Sequence, residues 1–162
     1  MKKAIITGSF DPITVGHTDL IRRAAEIFDE VFVVILSNGE KSGGMFSAAE
    51  RLALCEKAVE KMSNVSVMQW CGLASEAAHS VGAKYIVRGA RNASDFDYEN
   101  DLAAIMKRFD GELETVILPS SPSLSMISST YVRELIKYGC DLTDSVPDGC
   151  AEMIKTFKEG KK

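Results

Sequence analysis

Residues 31–36 read VFVVIL. A run this short is below ordinary helix length, offers no polar face and is mostly β-branched. It reads as a strand covered on both sides. That reading constrains the rest of the chain, because a strand buried on both faces needs a layer of helices on each. Four comparable runs are spaced along the sequence: AIIT at 4–7, VSVMQW at 65–70, KYIVRG at 84–89 and ETVILP at 114–119. Between them, apolar residues recur at helical spacing. Leu20, Ile21, Ala24, Ile27 and Phe28 share one face. Ser47 and Glu50 form a capping-box pattern ahead of Leu52, Leu54, Ala58 and Val59. A short helix is expected around 74–81, another over about 97–109, and a third begun by Ser128 and Ser129. Pro147 is expected to open the last, through Met153 and Phe157.

Strand–helix alternation with buried strands predicts parallel pairing through crossover helices. The expected fold class is α/β: a Rossmann-like five-stranded parallel sheet with helices on both faces, in a single domain over 1–162. The net charge of −4 argues against broad binding to nucleic acid or an acidic membrane, so any phosphate chemistry needs a local basic site. The opening MKKAIIT is too short an apolar run for a signal peptide, and no stretch approaches the ~18 apolar residues of a membrane span. Cys55, Cys71, Cys140 and Cys150 lack zinc-site spacing and are expected as reduced thiols in a cytoplasmic protein.

In such sheets ligands sit at the carboxyl ends of the strands, near the point where strand order reverses. The segments there are GSFDPITVGH (8–17), NGEKSGG (38–44), CGLAS (71–75), RGARN (88–92) and SSPSLSMISST (120–130). The first has the ingredients of an anion site: Gly8, Ser9 and Gly16 permit close approach, and the free amides of the next helix favour negative charge. His17 could donate to a phosphoryl oxygen or merely cap the helix. Lys41 stands in a glycine-bearing loop and could be simply solvated. Arg88 and Arg91 bracket the end of a strand, and guanidinium suits bidentate phosphate contacts. ASDFDYEN (93–100) places carboxylates at a helix start, where capping explains them equally well. SMISST (125–130) offers hydroxyls and amides at another helix mouth. No nucleophile–base pair stands out, and His79 falls mid-helix. The set suits a reaction run by positioning and charge stabilisation, such as phosphoryl or nucleotidyl transfer.

Thr14-Val15-Gly16-His17 resembles the (T/H)xGH signature of nucleotidyltransferases. VRGARNASDFDYEN is similar to the RGxRxxxDFxYE segment of the bacterial phosphopantetheine adenylyltransferase family. MFSAAER (45–51) and SMISST, followed by Tyr131, Val132 and Arg133, match further runs of that family in order. The resemblance implies AMP transfer from ATP to 4′-phosphopantetheine with Mg²⁺, giving dephospho-CoA and pyrophosphate, with no covalent enzyme intermediate. It implies catalytic roles for His17, Lys41 and Arg88, with Lys41 and Arg88 on the acceptor phosphate. Ser9 would meet both substrates, and Ala74 would line the pantetheine arm. ATP contacts are implied for Ser9, Phe10, His17, Gly89, Ala90, Arg91, Glu99, Leu124, Ser125, Met126, Ile127, Ser128, Ser129 and Thr130. A homohexamer and feedback inhibition by CoA are implied as well. Ser9 and Thr130 exchange one hydroxyl residue for another, whereas Gly43 and Gly44 suggest a looser lysine loop. Two other readings are a transferase with another acceptor, such as nicotinamide mononucleotide, and a nucleotide-binding sensor without turnover.

Overall fold

The computed structural model describes residues 1–37 and 44–160. Lys41, with its neighbours in 38–43, lies outside the described residues. Among the described residues, five strands form one parallel sheet: β1 (Lys3–Gly8), β2 (Glu30–Ser37), β3 (Val65–Cys71), β4 (Tyr85–Ala90) and β5 (Glu114–Pro119). Their order is β3-β2-β1-β4-β5, so the direction of travel reverses between β1 and β4. The helices are α1 (Val15–Ile27), α2 (Ala48–Val59), α3 (Ala74–Ser80), α4 (Ala93–Phe109), α5 (Ser129–Tyr138) and α6 (Cys150–Glu159), with a 3₁₀ turn at Pro122–Leu124.

The alternation of side chains on β1 shows how the apolar runs work. Ala4 and Ile6 join one core with Val31, Val33 and Ile35 of β2, covered by Ile21 and Ala24 of α1, Leu54 of α2, Val132 of α5 and Ile154 of α6. Ile5 and Val34 face the other way, against Ala77 and Ala78 of α3 and Ile86 of β4. Both faces of the sheet are therefore removed from water, as VFVVIL required.

Helix starts differ from expectation in two places. α4 begins at Ala93, one turn before the expected 97, because the Asn92 side chain caps it by accepting from the Asp95 amide at 2.9 Å. α6 begins at Cys150 rather than Pro147, because Gly149 takes φ 78° and interrupts the helical path between them. Among the described residues, no helix is long and apolar enough to cross a membrane.

Candidate active site

A cleft of about 500 Å³ opens at the carboxyl ends of β1 and β4, the topological switch point. It collects Ser9, Phe10, His17, Arg88, Gly89, Arg91, Glu99, Leu124, Ile127, Ser128, Ser129 and Thr130 from the expected set. Ala90 is buried at the end of β4. Ser125 turns its hydroxyl to the Pro122 carbonyl, Met126 is exposed, and Ala74 packs against the second core. None of these four lines the cleft in this conformation.

His17 is the third residue of α1, and it both caps the helix and faces the cleft. The Thr14 hydroxyl accepts from the His17 amide at 3.3 Å, and the Thr14 amide donates to the imidazole Nδ1 at 3.1 Å. This is a capping box with imidazole in the place usually taken by a carboxylate or amide. A backbone amide is only ever a donor, so Nδ1 must accept. The Thr14 hydroxyl, 3.0 Å away, is free to donate there too. The single proton of the neutral ring is thereby assigned to Nε2. Burial, with the Arg91 charge adding to it, lowers the imidazole pKa to about 4. His17 is thus a neutral Nε2–H donor near pH 7. Phe10 stands edge-on to the ring, with centroids 5.2 Å apart.

The first loop is held from three sides. Phe10 itself sits at φ 46°, a left-handed conformation that costs a residue with a side chain roughly 1–3 kcal/mol. The Asp11 carboxylate accepts the amides of Met45 and Phe46 at 2.8 and 2.9 Å. A Cβ on Gly44 would stand 2.8 Å from that carboxylate. Gly44 therefore serves close packing, where the sequence suggested looseness. Arg133 donates to the Asp11 carbonyl at 2.8 Å, and Ser129 donates to the Pro12 carbonyl at 2.8 Å. Arg51 donates to the Ser9 carbonyl at 2.9 Å.

Arg88 has its fork turned on a neighbour. Its Nε and Nη2 donate to the two oxygens of Glu99 at 2.6 and 2.8 Å, and Nη1 donates to the carbonyl and hydroxyl of Thr7. Of five N–H groups, one on Nη2 is left for a ligand. Arg91 pairs with Asp95 at 2.8 Å through Nε, which leaves its Nη groups available.

Sequence reasoning gave no site role to Arg133, Arg23 or Asp19, which all line the cleft. Gly16, Leu20 and Arg23 follow i, i+4, i+7 spacing on α1, and Arg133 lies one turn beyond Thr130, so helical periodicity held the signal. Arg23 and Asp19 approach at 3.7 Å. Burial raises the Asp19 pKa, but hydrogen bonds from Ser121 and Arg22 outweigh it and hold the carboxyl below its ordinary value. Arg133 bonds only neutral oxygens, of Asp11 and Thr130, and has no carboxylate partner among the described residues. Among the described residues, four arginines thus meet three carboxylates on the rim, leaving a surplus positive charge beside the mouth of α5.

Comparison with known proteins gives the fold and the family. A solved structure from Vibrio parahaemolyticus, described as a nicotinate-nucleotide adenylyltransferase, superposes with a TM-score of 0.72 over 96% of this chain and 93% of its own. Its 19% identity establishes the shared fold alone. The cytidylyltransferase-like family model matches residues 5–135. Phosphopantetheine adenylyltransferase of Staphylococcus carnosus (strain TM300) is 42% identical over 153 residues, covering 94% of each chain. The chain belongs to the phosphopantetheine adenylyltransferase family, within the cytidylyltransferase-like proteins.

Proposed function

We propose that this protein transfers AMP from ATP to 4′-phosphopantetheine, releasing pyrophosphate and dephospho-CoA. The observation that carries the reading is His17: a neutral imidazole, fixed by the Thr14 amide, with its Nε2–H left over in a cleft at the switch point. An oxygen of the acceptor phosphate attacks the α-phosphorus of ATP. That P–O bond forms as the bond to the bridging oxygen breaks, and pyrophosphate leaves with the electron pair. Negative charge gathers on the non-bridging α-oxygens, where a preorganised donor is worth about 3–4 kcal/mol. His17 need not remove a proton, because a phosphate dianion is already a nucleophile.

The mouth of α5, with Ser128, Ser129, Thr130 and the surplus charge of Arg133, suits the β- and γ-phosphates. Arg91 suits the same polyanion. Arg88, oriented by Glu99 and Thr7, offers one N–H to the acceptor phosphate. The role of Lys41 on that phosphate rests on the family resemblance, as does that of Ala74 on the pantetheine arm. Asp19, Asp95 and Glu99 are each ion-paired to an arginine, and no group of three metal-ligating side chains occurs among the described residues. These donors do not form a protein cage, so Mg²⁺ enters in this reading as part of the substrate MgATP, on triphosphate oxygens.

The proposed assembly is a homohexamer in the cytoplasm, with CoA as a competing end product. The only buried residue of the seventeen in α4 is Glu99, while Phe96, Tyr98, Ile105 and Phe109 are exposed. Ile105 and Phe109, one turn apart, share a side of the helix with Tyr98 at the cleft, and an exposed apolar face of this kind supports a protein interface. Light scattering should give the mass of six chains of 17.6 kDa. The function is tested by pyrophosphate release from MgATP in the presence of 4′-phosphopantetheine. Release only with nicotinamide mononucleotide would transfer the protein to another acceptor, and ATP binding without release would make it a sensor.

A further inference from the structure

Arg51, in the first turn of α2, is 4% exposed. Its Nη1 donates to the Ser9 carbonyl, whereas its Nε and Nη2 are buried without a hydrogen-bond partner. Each of these features is unfavourable for folding. Arginine is seldom buried unless paired, an orphaned buried donor forfeits its water, and a cation in the first turn opposes the helix dipole. A methionine would fill much the same space under the loop without these penalties. What the guanidinium does that methionine cannot do is bind one carbonyl, that of Ser9.

That carbonyl belongs to the Ser9–Phe10 peptide. In a planar trans peptide the C=O and the next N–H point in opposite directions. Holding the Ser9 oxygen toward buried Arg51 turns the Phe10 N–H to the opposite side of the peptide, and both Ser9 and Phe10 line the cleft. The Phe10 amide has no partner among the described residues. Phe10 also sits at φ 46°, a conformation that needs outside support. Its buried ring anchors one side of this strained turn, and Arg51 anchors the other.

We propose that Arg51 is a positioning residue: by fixing the Ser9–Phe10 peptide plane it aims the Phe10 N–H into the cleft as a donor to the triphosphate of the nucleotide. It touches no reacting atom. The proposal rests on the nucleotidyltransferase reading for the ligand, and on geometry alone for the peptide plane.

The test uses the full chain with Arg51→Met and Arg51→Lys. For Arg51→Met the melting temperature should equal or exceed that of the parent, because a buried unpaired charge is gone. kcat/KM for MgATP should fall about tenfold or more, as expected for a misplaced binding donor, while KM for 4′-phosphopantetheine changes little. Arg51→Lys, which keeps one donor near Ser9, should recover part of the loss. Independently of turnover, the ¹H–¹⁵N signal of Phe10 should move in ligand-free Arg51→Met while those of Thr14 and His17 stay in place. An unmoved Phe10 signal or an unchanged kcat/KM would overturn the proposal. So would a variant that unfolds, or one whose melting temperature falls with Thr14 and His17 displaced, since Arg51 would then be a general structural prop. A parent protein that releases no pyrophosphate would remove the function reading, and the Phe10 signal would still judge Arg51.

Discussion

Two helix mouths line the cleft, and they are built alike up to one side chain. At α1, Thr14 accepts from the amide of the third helical residue, and at α5, Ser128 does the same at 3.1 Å. At α5 that third residue is Tyr131, 47% exposed, and it returns nothing to the cap. At α1 it is His17, whose Nδ1 takes the Thr14 amide in return. The first arrangement ends a helix and offers hydroxyls and amides to an anion. The second does this and also locks an imidazole in one tautomer, with a donor to spare. In the proposed function, capping and ligand binding are therefore a single arrangement at α1, since the cap bond is what leaves Nε2–H for the nucleotide.

The largest break in this symmetry should come from His17→Ala. Turnover should fall by about 10²-fold or more, measured by pyrophosphate release, with helix content kept in circular dichroism. Ser128→Ala at the other mouth should lose far less turnover. Next in size is the clamp that holds the α1 loop. Asp11→Ala removes the acceptor of the Met45 and Phe46 amides, and should destabilise the protein by about 1–3 kcal/mol in a denaturant titration.

Acid should reach α1 and spare α5. His17 titrates near pH 4 in the folded protein against about 6.5 unfolded, so the unfolded chain binds the extra proton first. Its contribution to stability is complete above pH 6.5 and is lost as pH falls toward 4. Chemical denaturation at pH 7 and pH 4.5 should show a smaller acid loss in His17→Ala than in the parent. The smallest effect is Ser128→Ala, which should lower stability by about 1 kcal/mol, as for an ordinary N-cap, visible as a shifted melting temperature.

These mouths also show what a sequence can disclose. Thr14–His17 and Ser128–Thr130 were legible as helix starts because caps are local: a few consecutive residues carry the whole signal. The strands were legible because a sheet buried on both faces needs unbroken apolar runs such as VFVVIL. The starts of α4 and α6 were misplaced because Asn92 and Gly149, each a single residue, outweighed the more conspicuous Asp97 and Pro147. Contacts between distant segments left no local mark. Asp11 meets Met45 and Phe46 from 34 and 35 residues away, and Arg133 reaches Asp11 across 122. Arg88 and Glu99 were both expected in the site. Their pairing with each other, which leaves Arg88 a single free N–H, needed β4 and α4 to be brought together.

The site turns on the protonation state of His17, which ¹⁵N NMR of histidine-labelled protein at pH 7 reads out. The expected ring is neutral, with an unprotonated, accepting Nδ1 and the proton on Nε2, unchanged from pH 8 down to about 5.5. An imidazolium at pH 7, or a proton on Nδ1, would contradict it.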